Sequence, residues 1–162
     1  MVGTVPKVKK EWDLTFDYKP MNADPKKITS IVRVTASNDN YGKDGDRIPG
    51  VFMNSRSLRL TVCSVKDKNS NHCIRTGKLV QGKYSSVRVK QRKNKKGDRY
   101  IFSIYVNGAM HKERGVMTKN FVPKEYDNVK IWSGDKFYNP ADAYVKNIVF
   151  KNFGKCCFKY VI

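Results

Sequence analysis

A concentration of positive charge between Arg88 and Arg99 is the feature of this sequence that most directly suggests chemistry. The core of the stretch, QRKNKK, has the two-basic, spacer, two-basic pattern proposed for heparin sites. Arginine can hold a sulfate, phosphate or carboxylate through two parallel hydrogen bonds, and lysine acts as a mobile point charge. The stretch predicts a polyanion-binding site, the alternative being a solvated hairpin tip whose lysines discourage strand pairing. The candidate residues are Arg88, Lys90, Arg92, Lys93, Lys95, Lys96 and Arg99.

Aromatic residues around the stretch SGDKFYNPAD suggest a second kind of site. Trp132, Phe137 and Tyr138 lie in or beside this polar loop. An exposed aromatic ring can stack on a sugar or on a nucleobase. These three residues are therefore candidates for glycan stacking, although aromatic residues near strand ends also commonly pack in a core.

The sequence offers little support for catalysis or for a bound metal. There is no nucleophile motif, no glycine-rich phosphate loop and no paired carboxylates of the E-x-D-x-x-E kind. The two histidines, His72 and His111, are far apart and lie in no ligand motif. Asp39, Asp44 and Asp46 could supply oxygen ligands to calcium, but their spacing does not match the calcium loop, and such residues are common in turns. We expect no enzyme activity and no cofactor.

The overall charge favours an anionic partner. The chain has 162 residues, with 33 Lys and Arg against 14 Asp and Glu, for a formal net charge of +19. Such an excess attracts polyanions, including nucleic acid, sulfated glycan, anionic lipid and acidic protein. Hydrophobic residues make up 40% of the chain, which is enough for a folded core. No apolar run is long enough for a membrane span, and the start of the chain lacks the apolar centre of a secretory signal.

Two of the four cysteines are placed to form a disulfide. Cys63 ends the alternating run SLRLTVC and Cys73 begins CIRTGKLV, across a polar connection. The two can face each other on neighbouring antiparallel strands, and we predict a bridge between them rather than two thiols. The adjacent Cys156 and Cys157 have no evident partner and are compatible with free thiols, a vicinal bridge or intermolecular pairing.

Alternation of apolar and polar residues predicts the secondary structure. Val87 and Val89 alternate with cationic residues, and YIFSIYV alternates after QRKNKKGD, which predicts a hairpin with one buried and one cationic face. Asn107-Gly108 then predicts a tight turn. EWDLTFDYKP is the clearest half-buried strand, and AMHKERGVMTKNFVPKEYD is compatible with a short helix or a long loop.

About ten short strands and no long helical period predict an all-β fold. A two-sheet antiparallel β-sandwich, or jelly roll, is favoured, with a barrel as the main rival. We expect few or no helices. The predicted organisation is a basic N-terminal lead-in over residues 1–10, one sandwich domain over 11–153 and a cysteine-containing tail over 154–162.

The order of these strands resembles that of laminin-G-like and concanavalin-A-like jelly-roll domains. The matching stretches are Tyr84 to Val89, Val106 to Gly108, Ile131 to Gly134 and Tyr144 to Phe150. This resemblance implies a domain that binds glycans or extracellular protein, sometimes through calcium, and that is located outside the cell.

These features together predict a non-catalytic, secreted module that binds acidic or sulfated carbohydrate, as in adhesion or matrix attachment. Two other functions remain open. The first is a nucleic-acid-binding basic protein, and the second is a basic membrane-active or toxin-like protein.

Overall fold

The computed structural model describes residues 1–22, 27–38, 42–54, 56–153 and 159–161. All regular secondary structure in these ranges is β-strand, as predicted. The strands are β1 Gly3–Val8, β2 Trp12–Pro20, β3 Thr29–Thr35, β4 Gly50–Met53, β5 Arg59–Lys66, β6 Asn69–Lys78, β7 Ser85–Lys93, β8 Tyr100–Val106, β9 Ala109–Met110, β10 Gly115–Val116, β11 Tyr126–Ser133, β12 Asn139–Pro140, β13 Ala143–Asn152 and β14 Lys159–Val161.

The strands form two sheets. Sheet A has the order β1-β11-β3-β4-β5-β6, with β12 beside β3, and sheet B has the order β10-β8-β7-β2-β13-β14, with β9 beside β8. The pairing of β12 with β3 is parallel, whereas the neighbours along the two main paths are antiparallel. The predicted two-sheet β-sandwich is confirmed, and the alternative of a single closed barrel is wrong.

The core lies between the sheets because each central strand places alternate apolar side chains inward. On β2, Trp12, Leu14, Phe16 and Tyr18 are each at most 1% exposed. The Trp12 ring stacks on that of Phe150 with centroids 6.1 Å apart. The alternation in EWDLTFDYKP therefore predicts the correct buried face.

The predicted central hairpin is also confirmed. Strands β7 and β8 pair in a register that places Val87 opposite Val106 and Val89 opposite Ile104. The following turn has positive φ at both central residues, 50° at Asn107 and 79° at Gly108, as a tight hairpin turn requires. The apolar row of β7 faces the core and the cationic row faces outward.

The N-terminal segment differs from the expected lead-in. Gly3–Val8 forms β1, an edge strand of sheet A that pairs with β11, and both Val5 and Val8 are 0% exposed. Two features concealed this strand in the sequence. Pro6 interrupts the pattern, which an edge strand tolerates, and the neighbouring lysines suggested a solvated segment. At the other end, Cys156 and Cys157 lie outside the described residues.

The predicted disulfide is present. Cys63 and Cys73 are directly opposite each other on β5 and β6, with Cα atoms 4.0 Å apart, and are joined by an S–S bond. This bridge ties the edge strand β6 to its neighbour across the loop that connects them.

We predict that the double substitution Cys63→Ala and Cys73→Ala lowers the free energy of unfolding by about 2 to 3 kcal/mol, because the bridge restricts the unfolded chain. Urea unfolding monitored by tryptophan fluorescence measures this loss. The unsubstituted protein in strong reductant should lose a similar amount and serves as the matched control. Equal midpoints and slopes for the oxidised protein and the double variant would contradict the prediction.

Candidate functional site

A row of residues crosses the outer face of sheet A, because directly opposed residues of antiparallel strands lie on the same face. The row runs from Trp132 on β11 through Arg33 on β3, Gly50 on β4 and Cys63 on β5 to Cys73 on β6. Their neighbours along each strand point into the core: Ile131, Val34, Val51, Val62 and Ile74. We call this outer surface, with the loops that cover it, the sheet A face.

An irregularity in β3 brings two polar side chains together on this face. The register with β4 shifts between Ser30 and Val32, so that Ile31 and Val32 both join the core. Ser30 Oγ donates a hydrogen bond to Asp135 Oδ2 at 3.0 Å, and Arg33 Nη1 lies 3.8 Å from the same oxygen. Both polar residues therefore contact one carboxylate of the loop that follows β11.

Arg33 is a buried positive charge at the centre of the sheet A face. The side chains of Arg33 and Asp135 are each 2% exposed. The Arg33 Nε atom donates to the backbone oxygen of Asp46 at 3.0 Å, and its guanidinium lies 5.0 Å from the Phe137 ring. Burial lowers the pKa of Arg33, an effect opposed by the charges of Asp135 and Asp46. Arg33 thus joins the loops before β4 and after β11 to the sheet beneath them.

Asp135 also fixes the backbone that carries Tyr138. Its Oδ1 atom accepts hydrogen bonds from the backbone N–H of Phe137 at 2.9 Å and of Tyr138 at 3.2 Å. Such a local side-chain-to-backbone turn is a common use of aspartate. The carboxylate therefore positions both aromatic residues over the sheet A face.

Arg47 and Tyr138 form the most chemically suggestive contact on this face. Arg47 Nη2 donates to the Tyr138 hydroxyl oxygen at 3.2 Å, and Arg47 Nη1 donates to Asn71 Oδ1. The Arg47 guanidinium lies 5.0 Å from the Phe52 ring, which meets the Tyr138 ring edge-on at 5.2 Å. A phenol held beside a guanidinium can exchange a proton next to a fixed positive charge.

Gly50 makes room for this arrangement. A Cβ atom at Gly50 would lie 2.9 Å from the Phe52 ring and 3.2 Å from Arg47 Cγ, closer than side chains normally approach. Only glycine lets both groups lie directly over the strand. Gly50, the last residue of the sequence Arg-Ile-Pro-Gly, thus lets Arg47 lie over the strand in addition to starting β4.

A cleft beside this cluster combines cationic and aromatic side chains. Its volume is about 230 Å³, and its lining includes Arg33, Lys130, Trp132, Asp135, Lys136 and Phe137. Lys130 Nζ donates to Asn38 Oδ1 at 2.7 Å, and Lys136 Nζ lies 5.1 Å from the Phe137 ring. Positive charge with an exposed ring is suited to an acidic sugar, through ion pairing and stacking.

The structure brings the three predicted stacking residues to this one face. Phe137 is 42% exposed, whereas Trp132 and Tyr138 are half-buried. Their role in glycan stacking stays a prediction. Arg33, Arg47 and Asn71 were not predicted from the sequence, and the one available signal was the charge of Arg33 within the apolar run IVRV.

The predicted polyanion-binding hairpin lies on sheet B, and part of its charge is already paired. Arg88 Nε donates to both carboxylate oxygens of Asp13 at 2.9 Å, and Arg92 Nη2 lies 3.9 Å from Asp13 Oδ2. The hydrogen bonds from Arg88 to Asp13, which is 3% exposed, raise the pKa of Arg88. Arg92 also lies over the Phe153 ring at 3.0 Å. Arg88 and Arg92 therefore stabilise the fold as well as contribute charge.

Among the remaining cations of the hairpin, Lys90 is half-buried and Arg99 Nε lies 4.0 Å from Asp98 Oδ2. Lys90 Nζ lies 4.7 Å from the Tyr105 ring and Lys93 Nζ lies 5.7 Å from the Tyr100 ring. Lys93, Lys95, Lys96 and Arg99 are exposed, and we call these four residues the hairpin tip. Binding of a polyanion there stays a prediction.

Two of the three aspartates that could have bound calcium, Asp44 and Asp46, have protein partners. Asp44 accepts hydrogen bonds from Lys124 Nζ and from the Tyr126 hydroxyl, both at 2.5 Å. Partial burial opposes ionisation of Asp44, but these hydrogen bonds outweigh it and lower the pKa. Asp46 Oδ2 accepts from the backbone N–H of Lys43 at 2.8 Å, and Asp39 lies outside the described residues. Among the described residues, no three His, Cys, Asp or Glu side chains form a group that could hold a metal ion.

Comparison with known proteins relates this fold to polysaccharide-cleaving enzymes. No protein-family model matches the chain. No curated protein matches its sequence. Among solved structures, alginate lyase vAL-1 from Chlorella virus matches with a TM-score of 0.52 at 12% identity, covering 90% of this chain and 72% of that one.

Two further structures match less closely. The alginate lyase from Alteromonas sp. 272 has a TM-score of 0.45 at 10% identity, covering 79% of this chain. An alginate lyase variant in complex with alginate trisaccharide has a TM-score of 0.49 at 15% identity, covering 98% of this chain and 73% of that one. This chain spans 57% of the length of the Alteromonas enzyme.

These neighbours correct the functional expectation drawn from sequence. The prediction of a non-catalytic module and of a protein that is not an enzyme is corrected by the Chlorella virus match, which is an alginate lyase. The Chlorella virus enzyme supports the jelly-roll sandwich but not the specific laminin-G-like or concanavalin-A-like family. In the part of the chain that the structure describes, no helix has the length and apolar character to cross a membrane.

Proposed function

We propose that this protein is a polysaccharide lyase that cleaves an acidic, uronate-containing polysaccharide on the sheet A face. The single observation that carries the proposal is the hydrogen bond from Arg47 Nη2 to the Tyr138 hydroxyl at 3.2 Å. It lies on a face that also carries a cationic and aromatic cleft. Support for the class of reaction comes from the fold, which is that of an alginate lyase from Chlorella virus.

The proposed reaction makes three demands on a site. A lyase removes the proton from the sugar carbon next to the carboxylate, forms a carbon–carbon double bond, and expels the neighbouring sugar oxygen, which takes up a proton. The site must therefore stabilise charge that accumulates on the carboxylate, accept one proton and donate another. No oxidant, reductant or water is consumed in this step.

Arg47, Asn71 and Tyr138 can meet these demands together. The Tyr138 oxygen takes up the proton from the sugar carbon and passes a proton to the leaving sugar oxygen, so that it ends the reaction as it began, and Arg47 places positive charge beside this oxygen. Asn71 is exposed next to Arg47 and carries an amide suited to a substrate carboxylate. Electrostatic stabilisation of developing charge by such fixed donors is commonly a large term in catalysis.

The neighbouring cleft is suited to the rest of the polysaccharide chain. Lys130 and Lys136 can pair with carboxylates of adjoining sugars, and Trp132 and Phe137 offer ring faces for stacking. Arg33 is too deeply buried for a primary role in binding, with 2% of its side chain exposed. Its part in the proposed site is to hold the two loops in place.

A panel of substrates tests the proposed function. The purified protein is incubated with alginate, pectate, hyaluronan and heparin, with dextran as the neutral control, and the ultraviolet absorbance of the new double bond is followed. We expect cleavage of at least one acidic polysaccharide and none of dextran, with unsaturated oligosaccharides confirmed by mass spectrometry. Folded protein that cleaves none of the acidic polymers would overturn the proposal.

We further propose that the protein works in an oxidising environment outside the cell. The disulfide between Cys63 and Cys73 supports this, because such bridges persist mainly in oxidising compartments. The finer kinship with laminin-G-like and concanavalin-A-like domains likewise remains a proposal. It is supported by the order of the strands and by the turn at Asn107-Gly108.

The hairpin tip yields a separate prediction about binding of the polymer. Changing its four cations, Lys93, Lys95, Lys96 and Arg99, to glutamine should weaken binding to heparin at low salt by roughly tenfold, because fewer counterions are released. Affinity measured across a salt series should also depend less steeply on salt. The matched control changes four exposed lysines elsewhere, Lys68, Lys78, Lys112 and Lys119. Equal weakening by both sets would mean that only net charge matters, and the localised site would be wrong.

A further inference from the structure

The outer face of sheet B carries a second cluster of aromatic and cationic side chains, on the opposite side of the sandwich from the sheet A face. Lys19 on β2 and Tyr144 on β13 are directly opposed in the register, and Tyr84 immediately precedes β7. Lys19 Nζ lies 5.7 Å from the Tyr84 ring and 5.5 Å from the Tyr144 ring. Lys146 Nζ lies 4.1 Å from the Tyr84 ring. We call these four residues the tyrosine–lysine patch.

The patch is open to solvent although half of its members are large aromatic residues. Tyr84 is 45% exposed and Tyr144 is 57% exposed, and neither ring belongs to the core. The rings are instead held beside two ammonium groups. Asp17 on β2 is directly opposite Lys146 in the strand register, and its carboxylate accepts a hydrogen bond from Asn147 Nδ2 at 2.7 Å. The patch therefore presents ring faces together with positive charge.

We propose that the tyrosine–lysine patch is a second, non-catalytic binding surface for the acidic polysaccharide. Tyr84 and Tyr144 stack on sugar rings, and Lys19 and Lys146 pair with carboxylate or sulfate groups of the same chain segment. The identity of this ligand rests on the proposed function. Charge complementarity favours it, since the patch is cationic within a chain of net charge +19.

The position of the patch determines what it can do. Lys19, Tyr144 and Lys146 belong to sheet B, whereas Arg47 and Tyr138 lie over sheet A, and a cleft of about 360 Å³ beside the patch is lined by Tyr144 together with Ser30 and Gly134. A long polymer can contact both the patch and the sheet A face, and linked binding then raises the apparent affinity through effective concentration. The patch accordingly affects retention on polymer and not the turnover of short fragments.

Two variants test the patch in the full chain. Tyr84→Ala with Tyr144→Ala removes the rings, and Lys19→Gln with Lys146→Gln removes the charges. Each is measured by affinity electrophoresis in gels containing sodium alginate, heparin or no polymer. We expect each variant to lose about tenfold in affinity for at least one of these polymers, as removal of stacking or ion pairing typically causes.

Two controls accompany these variants. Met110→Ala with Val122→Ala truncates two large apolar side chains that are similarly exposed elsewhere on the surface, at 50% and 56%, and should leave retention unchanged. Turnover of short alginate oligosaccharides, or of fragments of whichever polymer is cleaved, should be unchanged in the patch variants.

The possible outcomes separate this inference from the proposed lyase activity. Loss of retention in the patch variants supports polysaccharide binding by the patch, even if the unsubstituted protein cleaves nothing. Absence of cleavage would contradict only the proposed lyase activity. Two results would overturn the proposal that the patch binds polymer. One is unchanged retention in the patch variants, and the other is an equal loss of short-fragment turnover and of polymer binding. The protein could instead bind single-stranded DNA more tightly than either polysaccharide, with the patch variants losing this binding. That result would overturn the proposal that the partner of the patch is a polysaccharide.

Discussion

Replacing Tyr138 by phenylalanine is expected to reduce polysaccharide cleavage by at least roughly a hundredfold, because the substitution removes the proposed proton-transfer group. The change deletes one oxygen and retains the ring that packs edge-on against Phe52. Binding of the polymer should therefore stay close to that of the unsubstituted protein. The loss should appear in kcat, measured from the ultraviolet absorbance of the product, and not in KM.

The expectation for Tyr138→Phe follows from how the hydroxyl is held. Its oxygen accepts a hydrogen bond from Arg47 Nη2, and the Tyr138 backbone N–H is tied to Asp135. The residue is thus fixed from both ends, as transfer of a proton at a defined carbon requires. Phenylalanine keeps the backbone contact and loses only the group that exchanges the proton.

A matched control distinguishes this role from a general effect of losing a phenol. Tyr105→Phe removes a hydroxyl from the outer face of sheet B and should retain full cleavage activity. Thermal unfolding of both variants confirms that the sandwich is intact. If Tyr138→Phe cleaves at the unsubstituted rate while remaining folded, proton transfer belongs to another group and the assignment of Tyr138 is wrong.

The parts of this fold that could be predicted from sequence are those set by local alternation. Trp12 and Phe16 on β2, and Val87 and Val89 on β7, follow a period of two over a full strand, and one face is buried in each case. The turn at Asn107-Gly108 follows from the ability of these residues to take positive φ. Such features depend on neighbours in the chain and need no knowledge of the tertiary fold.

The chemistry of the sheet A face depends on contacts between distant residues. Arg47 and Tyr138 are separated by 91 positions, and no spacing in the sequence indicates that they meet. Asp13 shows the same difficulty on sheet B. Alternation assigns it to solvent, yet it is 3% exposed because Arg88, 75 positions away, covers its carboxylate. The proposed enzyme activity could not be predicted for this reason, since no short motif carries the proposed catalytic group.

Replacing Arg33 by methionine should destabilise the protein more than any other substitution proposed above. The expected loss in free energy of unfolding is about 3 to 5 kcal/mol, the usual consequence of removing one partner from a buried ion pair. Asp135 would remain as a charge with 2% of its side chain exposed. The backbone oxygen of Asp46 would also lose its donor. Urea unfolding at fixed pH measures the change.

A second substitution separates the ion pair from simple packing. Asp135→Asn removes the opposing charge but keeps an oxygen that can accept from the backbone N–H groups of Phe137 and Tyr138. In the double variant, Arg33→Met with Asp135→Asn, neither charge remains buried without its partner. We expect the double variant to be at least about 1 kcal/mol more stable than Arg33→Met alone.

The same variants connect stability to the proposed reaction. Because Arg33 and Asp135 hold the loop that carries Tyr138, Arg33→Met should reduce cleavage even at temperatures where the protein is fully folded. The double variant should recover part of this activity together with its stability. If Arg33→Met costs less than about 1 kcal/mol, or if the two substitutions are strictly additive, the buried pair does not organise this face and the loop must be held by other contacts.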